Sequence, residues 1–391
     1  MTTSSCAGTI TPRERVLAAV DLQEPDRVPI DVGGTSFSTI IGQAYERLKA
    51  YLGVDSATAY MTPRSYTAVL DERVAQRLGA DTRPLSVGKP DGWQDIRLGD
   101  GSFQDEFGIV WRRAVDGHYA PTGNPLANAT AAGLGAYRWP DPRNPGRTRG
   151  LRQRARQLAG GTDYALVLSL PVGFVHLSQY LRGYEQWLMD VVLNPAFLDT
   201  LMDLTLDWWL ALAGAVLDEV GPYVDVVAFG DDIAFHDRPM LDLDRYRRLL
   251  KPRHKKMVDL IKDRSRARVL YHCCGAVRDL IPEFIDIGVD ALNPVQVSSR
   301  GMDTAALKAS FGDQICFWGA IDTNRVLPRG TTDEVRAEVQ QRIRDLAGGG
   351  GYVLAPVHNI QEDVPPENIV AMVDAASRSA GMDHSYPVQE A

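Results

Sequence analysis

Val224-Asp225-Val226-Val227-Ala228-Phe229, Arg268-Val269-Leu270-Tyr271 and Ala291-Leu292-Asn293-Pro294 are short apolar runs, separated by helix-patterned stretches at 242–263 and 277–287. Strand-length runs alternating with helices require crossover connections, and crossovers build parallel sheets. Further runs of the same kind lie at 165–170, 315–319 and 352–355, with another helix pattern at 332–346. Residues 28–32, followed by Gly33-Gly34, read as one more strand, and a further one is expected between 60 and 90. The count approaches eight, so the expected fold is α/β, a closed (β/α)8 TIM barrel. An open doubly wound sheet is disfavoured because no Gly-x-Gly-x-x-Gly turn follows any of these runs.

Upstream, Thr11-Pro12-Arg13-Glu14 has the hydroxyl cap, early proline and third-position glutamate of a helix start. Residues 1–11 are expected to be disordered, 12–380 to form one barrel domain, and 381–391 to be a tail. Between 92 and 148 the pattern changes to short alternations around Gly99-Asp100-Gly101 and Asp116-Gly117. Those are hairpin signals, so the barrel is expected to carry a small N-terminal antiparallel hairpin insertion, followed by a loop over 121–148.

The chain of 391 residues is 45% hydrophobic and 24% charged, ordinary for a globular enzyme, with a formal net charge of −8. An acidic balance argues against nucleic acid as a partner. The four cysteines, Cys6, Cys273, Cys274 and Cys316, make a poor disulfide framework and fit a reducing compartment. No secretory signal pattern opens the sequence, and no run reads as the ~20 apolar residues of a membrane span. The reading is a cytoplasmic protein without a membrane partner.

Barrel active sites lie at the carboxyl ends of the strands. There the sequence places Asp231 and Asp232, His272 and Cys274, Asn293 and Gln296, Asp322, and His358 with Asn359. His272 and Cys274 share one strand face, and a histidine-x-cysteine pair joined by a distant histidine is a ligand set that suits zinc with one position open. Cys273 should point the other way, toward the helices. Asp231, Asp232 and Asp322 are candidate general acids or bases, with helix caps or histidine-orienting partners as their alternatives. His176, Asn293, Gln296 and Asn359 are candidate substrate contacts. The basic run Lys251-Pro252-Arg253-His254-Lys255-Lys256 reads as a solvated helix face.

Thr11-Pro12-Arg13-Glu14-Arg15-Val16-Leu17 followed by Glu24-Pro25-Asp26-Arg27-Val28-Pro29 resembles the N-terminal signature of the uroporphyrinogen decarboxylase superfamily. So do Asp290-Ala291-Leu292-Asn293-Pro294-Val295-Gln296, Phe317-Trp318-Gly319-Ala320-Ile321-Asp322, and the stretch from Gly350 through Ile369. The resemblance covers nearly the whole chain beyond the first ten residues and implies a (β/α)8 barrel. Decarboxylases of the superfamily grip their polycarboxylate substrate with an arginine-rich motif after the first strand. The matching stretch here, Asp31-Val32-Gly33-Gly34-Thr35-Ser36-Phe37, contains no arginine, which leaves a porphyrin precursor without its cationic clamp.

The other branch of the superfamily comprises zinc-dependent methyltransferases that work with corrinoid proteins. Its histidine-x-cysteine motif matches His272 and Cys274. Its third ligand is commonly a cysteine after an Ala-Pro-x run, where this chain has His358. That departure makes the metal more Lewis-acidic and implies demethylation of methoxylated compounds rather than thiol alkylation. The implied cofactors are Zn2+ and a corrinoid (cobalamin). The corrinoid would be carried by a partner protein, since no Asp-x-His-x-x-Gly segment occurs in this chain. The implied substrate is a small-molecule methyl donor, a homodimer is compatible with the chain, and uroporphyrinogen decarboxylation stands as the alternative activity.

Overall fold

The structure, a computed structural model, describes residues 10–61, 66–114 and 119–378. The expected tail at 381–391, most of the expected disordered start, and the Asp116-Gly117 turn lie outside the described residues. Seven parallel strands form one sheet: β1 Thr82–Ser86, β2 Ala165–Ser169, β3 Val226–Gly230, β4 Arg268–His272, β5 Ala291–Asn293, β6 Cys316–Ile321 and β7 Tyr352–Pro356. Each pairs with the next in chain order.

The eighth stave is the segment around Ile30, which joins β7 to β1. Leu354 N–H donates to Pro29 O (2.9 Å), Asp31 N–H to Leu354 O (2.9 Å) and Asp81 N–H to Ile30 O (2.8 Å). The full strand expected over 28–32 is therefore a single bridged residue. One reason is Pro29, which has no N–H to extend the ladder. These bonds close the sheet into the expected barrel.

Strand parity divides the residues between lumen and helices. Ala165, Val167, Val226, Ala228, Leu270, Ala291, Cys316, Trp318, Val353 and Ala355 pack together as one small cluster inside the barrel. Leu168, Val227, Phe229, Val269, Tyr271 and Leu292 join the larger core under the helices. Trp318 fills the lumen, its indole N–H donating to Asp31 Oδ2 at 2.8 Å. Register puts Gly230, His272 and Asn293 side by side at the rim, so His272 and Asn293 continue the inward parity of Leu270 and Ala291.

At the opposite end, Thr11 caps the helix Pro12–Val20 in a reciprocal capping box with Glu14, as the sequence indicated. The helix Pro195–Val220 corrects one expectation: it is long and apolar enough to cross a membrane. It lies beside the helices Phe174–Arg182 and Lys251–Arg264, with Leu201, Trp209, Leu212 and Val216 buried in the core. Continuous aliphatic character here comes from a helix packed on several sides.

Between β1 and β2 the chain makes a four-stranded antiparallel meander: Ile96–Arg97, Phe103–Gln104, Val110–Arg113 and Tyr119–Gly123. The Gly99-Asp100-Gly101 signal falls in its first turn. Leaving from the carboxyl end of β1, the meander stands over the same rim that carries His272. The stretch expected as a loop over 121–148 also contains a short helix, Ala131–Ala136.

Candidate metal centre

β4 ends at His272, and the chain turns at Cys274-Gly275. Gly275 has φ of 102°, and a Cβ there would lie 2.6 Å from Phe235 O, so the turn requires glycine. Two acceptors hold it: Asp232 Oδ1 takes Cys274 N–H at 2.7 Å, and Gln296 Oε1 takes Gly275 N–H at 2.7 Å. Cys274 Sγ then faces His272 Nε2 at 3.4 Å. His358 follows β7, and its ring stands 5.6 Å from that of His272. One ligand atom each from His272, Cys274 and His358 lies within 4.8 Å of the others.

The arrangement selects which nitrogen of His272 is available. Asn293 Oδ1 lies 2.5 Å from His272 Nδ1, while Asn293 Nδ2 donates to Trp318 O at 3.1 Å. The second bond fixes the amide orientation, so Nδ1 of His272 must donate and Nε2 keeps its lone pair toward Cys274. Phe37 stacks on the same imidazole, centroids 4.0 Å apart. Asn359 secures that aromatic indirectly: its Oδ1 accepts Thr39 N–H at 3.0 Å and anchors the loop carrying Phe37.

Electrostatics leave the metal-free set uncharged. Burial and the neighbouring Asp232 carboxylate push the Cys274 thiol well above its ordinary range. Burial holds His272 below the usual histidine value, in its neutral form. A divalent ion reverses the thiol's preference, because a coordinated thiol is deprotonated outright. The 3.4 Å sulfur–nitrogen separation also matches the ligand–ligand edge of about 3.4–3.6 Å expected for tetrahedral zinc. The donor types, spacing and tautomer control fit zinc.

Beside this set lies a second polar cluster. Asp231, fully buried, accepts His176 N–H at 2.9 Å and contacts His254 Nε2 at 3.2 Å. His176 sits with Nδ1 3.4 Å from Asp231 and Nε2 3.6 Å from Asp232. Burial opposes its charge, but hydrogen bonds to the two carboxylates raise its pKa to about 10. Asp232 is 38% exposed at its side chain; what burial it has works against ionisation, yet His176 holds its carboxyl well below the usual range. Asp231 is thus a buried linchpin between two histidines, and Asp232 a positioning group for Cys274.

Asp322 sits apart. Its Oδ1 accepts the N–H groups of Asn324 (2.7 Å) and Arg325 (3.2 Å), closing a turn. The structure therefore brings His272, Cys274 and His358 together, arranges Asn293, Gln296, Asp232 and Asn359 as their supports, and places Asp322 in a turn. Two residues were not legible beforehand. Phe37 belongs to an irregular loop with no periodic signal. His254, read as part of a solvated face, is 0% exposed and turned onto Asp231, whereas Arg253 and Lys251 on the same helix pair with the exposed carboxylates Asp203 and Asp286. Helical period 3.6 places His254 with buried Met257, Val258 and Ile261, a signal the charge run obscured.

Comparison with known proteins agrees with this architecture. Over 210 residues the chain is 26% identical to methylcobamide:CoM methyltransferase MtbA of Methanosarcina mazei, covering 54% of this chain and 57% of the relative. Over 90 residues it is 35% identical to uroporphyrinogen decarboxylase of Psychromonas ingrahamii, covering 23% of this chain and 24% of that protein. The matches thus span well under two thirds of either relative's length. A solved methyltransferase from Methanosarcina mazei superposes with a TM-score of 0.65 at 20% identity, over 95% of this chain and 99% of its own, which establishes a shared fold. The model of the uroporphyrinogen decarboxylase (URO-D) family matches residues 130–379, well over half of the sequence and every strand from β2 to β7. The chain belongs to the uroporphyrinogen decarboxylase family.

Proposed function

We propose that this protein is a zinc-dependent methyltransferase that moves a methyl group between a small methoxylated substrate and a corrinoid held by a partner protein. One observation carries the reading: the His272, Cys274 and His358 ligand atoms converge within 4.8 Å at the carboxyl rim of a barrel. His272 Nε2 is there released for coordination by Asn293. Zinc held by His272, Cys274 and His358 would supply Lewis acidity toward the ether oxygen. The chain's own residues do the rest. Asn293 fixes the tautomer, Asp232 and Gln296 fix the Cys274 backbone, and Phe37 covers one face of His272. In the demethylating direction the methyl–oxygen bond breaks with its electron pair staying on oxygen. The electron pair of the new bond to the methyl carbon would come from the reduced corrinoid of the partner protein, and a proton from solvent would go to the leaving oxygen.

The 90-residue similarity to a decarboxylase favours a second reading, uroporphyrinogen decarboxylation. The absence of arginine from residues 31–37 speaks against it. Metal analysis separates the two. The expected result is stoichiometric zinc in the wild type, lost in His272→Ala and in Cys274→Ala. Methylation of reduced corrinoid, followed by its visible spectrum, should fall at least about 100-fold in both variants, the range expected when a transition-state charge stabiliser is removed. Wild-type protein that takes up no zinc, or zinc retained by both variants, would overturn the proposal.

A further inference from the structure

The helix Tyr184–Leu193 presents an apolar face to solvent. Its inner side is fully engaged. Trp187 is buried and donates its indole N–H to Ser178 Oγ at 2.8 Å, while the buried Asp190 accepts the Arg182 Nε–H at 2.6 Å and the Gln186 amide at 2.8 Å. These bonds hold the helix in place, so its outer face is a fixed surface and not a frayed one. On that face Tyr184, Leu188 and Val192 form one column, four residues apart, with Met189 and Leu193 in the next. The five side chains are between 36% and 75% exposed. Pro195 and Ala196, exposed where the next helix begins, continue the strip.

The ridge starts at the carboxyl rim of the barrel. The Tyr184 ring stands 6.1 Å from that of Tyr180, which lies 5.6 Å from the ring of His176.

We propose that this ridge is the contact between two copies of the chain, related by a two-fold axis that sets one ridge against the other. A charge-free apolar strip is its own complement, as an isologous contact requires. The area agrees. At these exposures the five side chains leave about 450 Å2 uncovered, the scale of patch that marks an interaction site. With an apolar share of about 57–65%, such a core implies about 700–800 Å2 per copy, the standard size of a stable interface. The formal net charge of −8 makes two copies repel. The ridge is a place where they can meet, because Glu185 is the one exposed charge of its helix.

Two other occupants fit less well. A lipid surface calls for lysines or arginines beside the apolar strip, and the sequence from Tyr184 to Leu193 contains neither. A corrinoid carrier comes and goes at each turnover, and transient contacts of that kind are smaller and more polar. The inference stands apart from the methyl-transfer reading.

Sedimentation equilibrium of the full chain tests it. The wild type should run at twice the mass of one chain at about 10 μM, as a standard-size interface of micromolar or tighter affinity requires. Val192→Glu/Leu193→Glu should weaken the dimer at least about 100-fold, because four carboxylates would meet in a desolvated contact. Its circular dichroism and zinc uptake should be unchanged, since both positions are exposed and neither belongs to the ligand set. Ile96→Glu/Leu98→Glu, at exposed positions of the meander, should leave the dimer intact. So should sodium chloride at about 0.5 M, since screening acts on charges and the contact has none. A wild type that stays monomeric overturns the inference; if that monomer sediments with phosphatidylcholine–phosphatidylglycerol vesicles and the ridge variant does not, the ridge faces lipid instead. A dimer that survives the ridge variant, or that comes apart in the meander variant or in salt, also overturns it. Dimerisation without zinc uptake would remove the methyl-transfer reading and leave this inference standing.

Discussion

At the amino end of the strands, Asp81 is 1% exposed and receives Arg15 at 2.8 Å and Arg27 at 2.7 Å, while Asp26 takes the other side of Arg15 at 2.6 Å. At the carboxyl end, His272 is 4% exposed, and Cys274 has the Asp232 carboxylate rather than a cation beside it. Both ends bury ionisable groups: the first holds them as ion pairs, whereas at the second His176 balances Asp231 and Asp232 while burial keeps His272 and Cys274 uncharged. A buried charge left uncompensated is costly, which is why the thiol and imidazole stay uncharged in the metal-free chain. The amino rim is closed by its own ion pairs, whereas the carboxyl rim gathers the His272, Cys274 and His358 ligand atoms within 4.8 Å, the proposed place for an ion. The same division is general for such barrels, whose chemistry lies at the strand carboxyl ends.

The largest effect that tests this contrast comes from Asp81→Ala, which strands the Arg27 guanidinium and leaves Arg15 with Asp26 alone. It should cost about 3–5 kcal/mol of stability, read by denaturant unfolding, with zinc affinity of the folded fraction unchanged. If zinc affinity falls in parallel, the two rims are coupled and the contrast fails.

Asn293→Ala probes the other rim. Freed from its acceptor, His272 loses its preferred tautomer, and metal affinity should drop about 10- to 100-fold in chelator competition. An unchanged affinity would show that Asn293 does not orient the ligand.

The smallest effect is in the pH profile of stability of the metal-free chain. Burial opposes ionisation of Asp26, but the Arg15 hydrogen bond holds its carboxyl below its ordinary value of 3.8. Its contribution is therefore present above that value and lost as pH falls through the lower, folded one. His176 is raised from 6.5 to about 10, facing Asp231 and Asp232, with Tyr180 on its own helix and His254 across Asp231. Its contribution is complete below 6.5 and disappears as pH rises through about 10. Thermal unfolding against pH should show a shallower acid limb in Asp26→Asn and a shallower alkaline limb in His176→Gln. Identical profiles for wild type and both variants would contradict these assignments.

The alternation of strand and helix patterns was legible because a parallel sheet imposes it; β2 to β7 fall where apolar runs led one to look, while β1 was expected only somewhere between 60 and 90. His272 and Cys274 were legible as a pair because their spacing is local and strand parity is two. The roles of Asn293, Gln296, Asp232 and Asn359 were not. Asn293, Gln296 and Asn359 read as substrate contacts and Asp232 as a general acid or base, a cap or a histidine-orienting partner, and only the coordinates show their atoms turned onto the loops and on His272. Phe37 left no trace in the sequence, since its contact with His272 depends on how an irregular loop is anchored by a residue 320 positions away.

Read alone, then, the chain determined its barrel, the histidine–cysteine pair and the absence of an arginine clamp, all of which are written in local pattern and residue type. Tertiary structure decided that His358 meets that pair, which nitrogen of His272 is free, and that His254 points inward. Those depend on strand register, barrel closure and loop anchoring, interactions between residues far apart in sequence, for which periodicity carries no information.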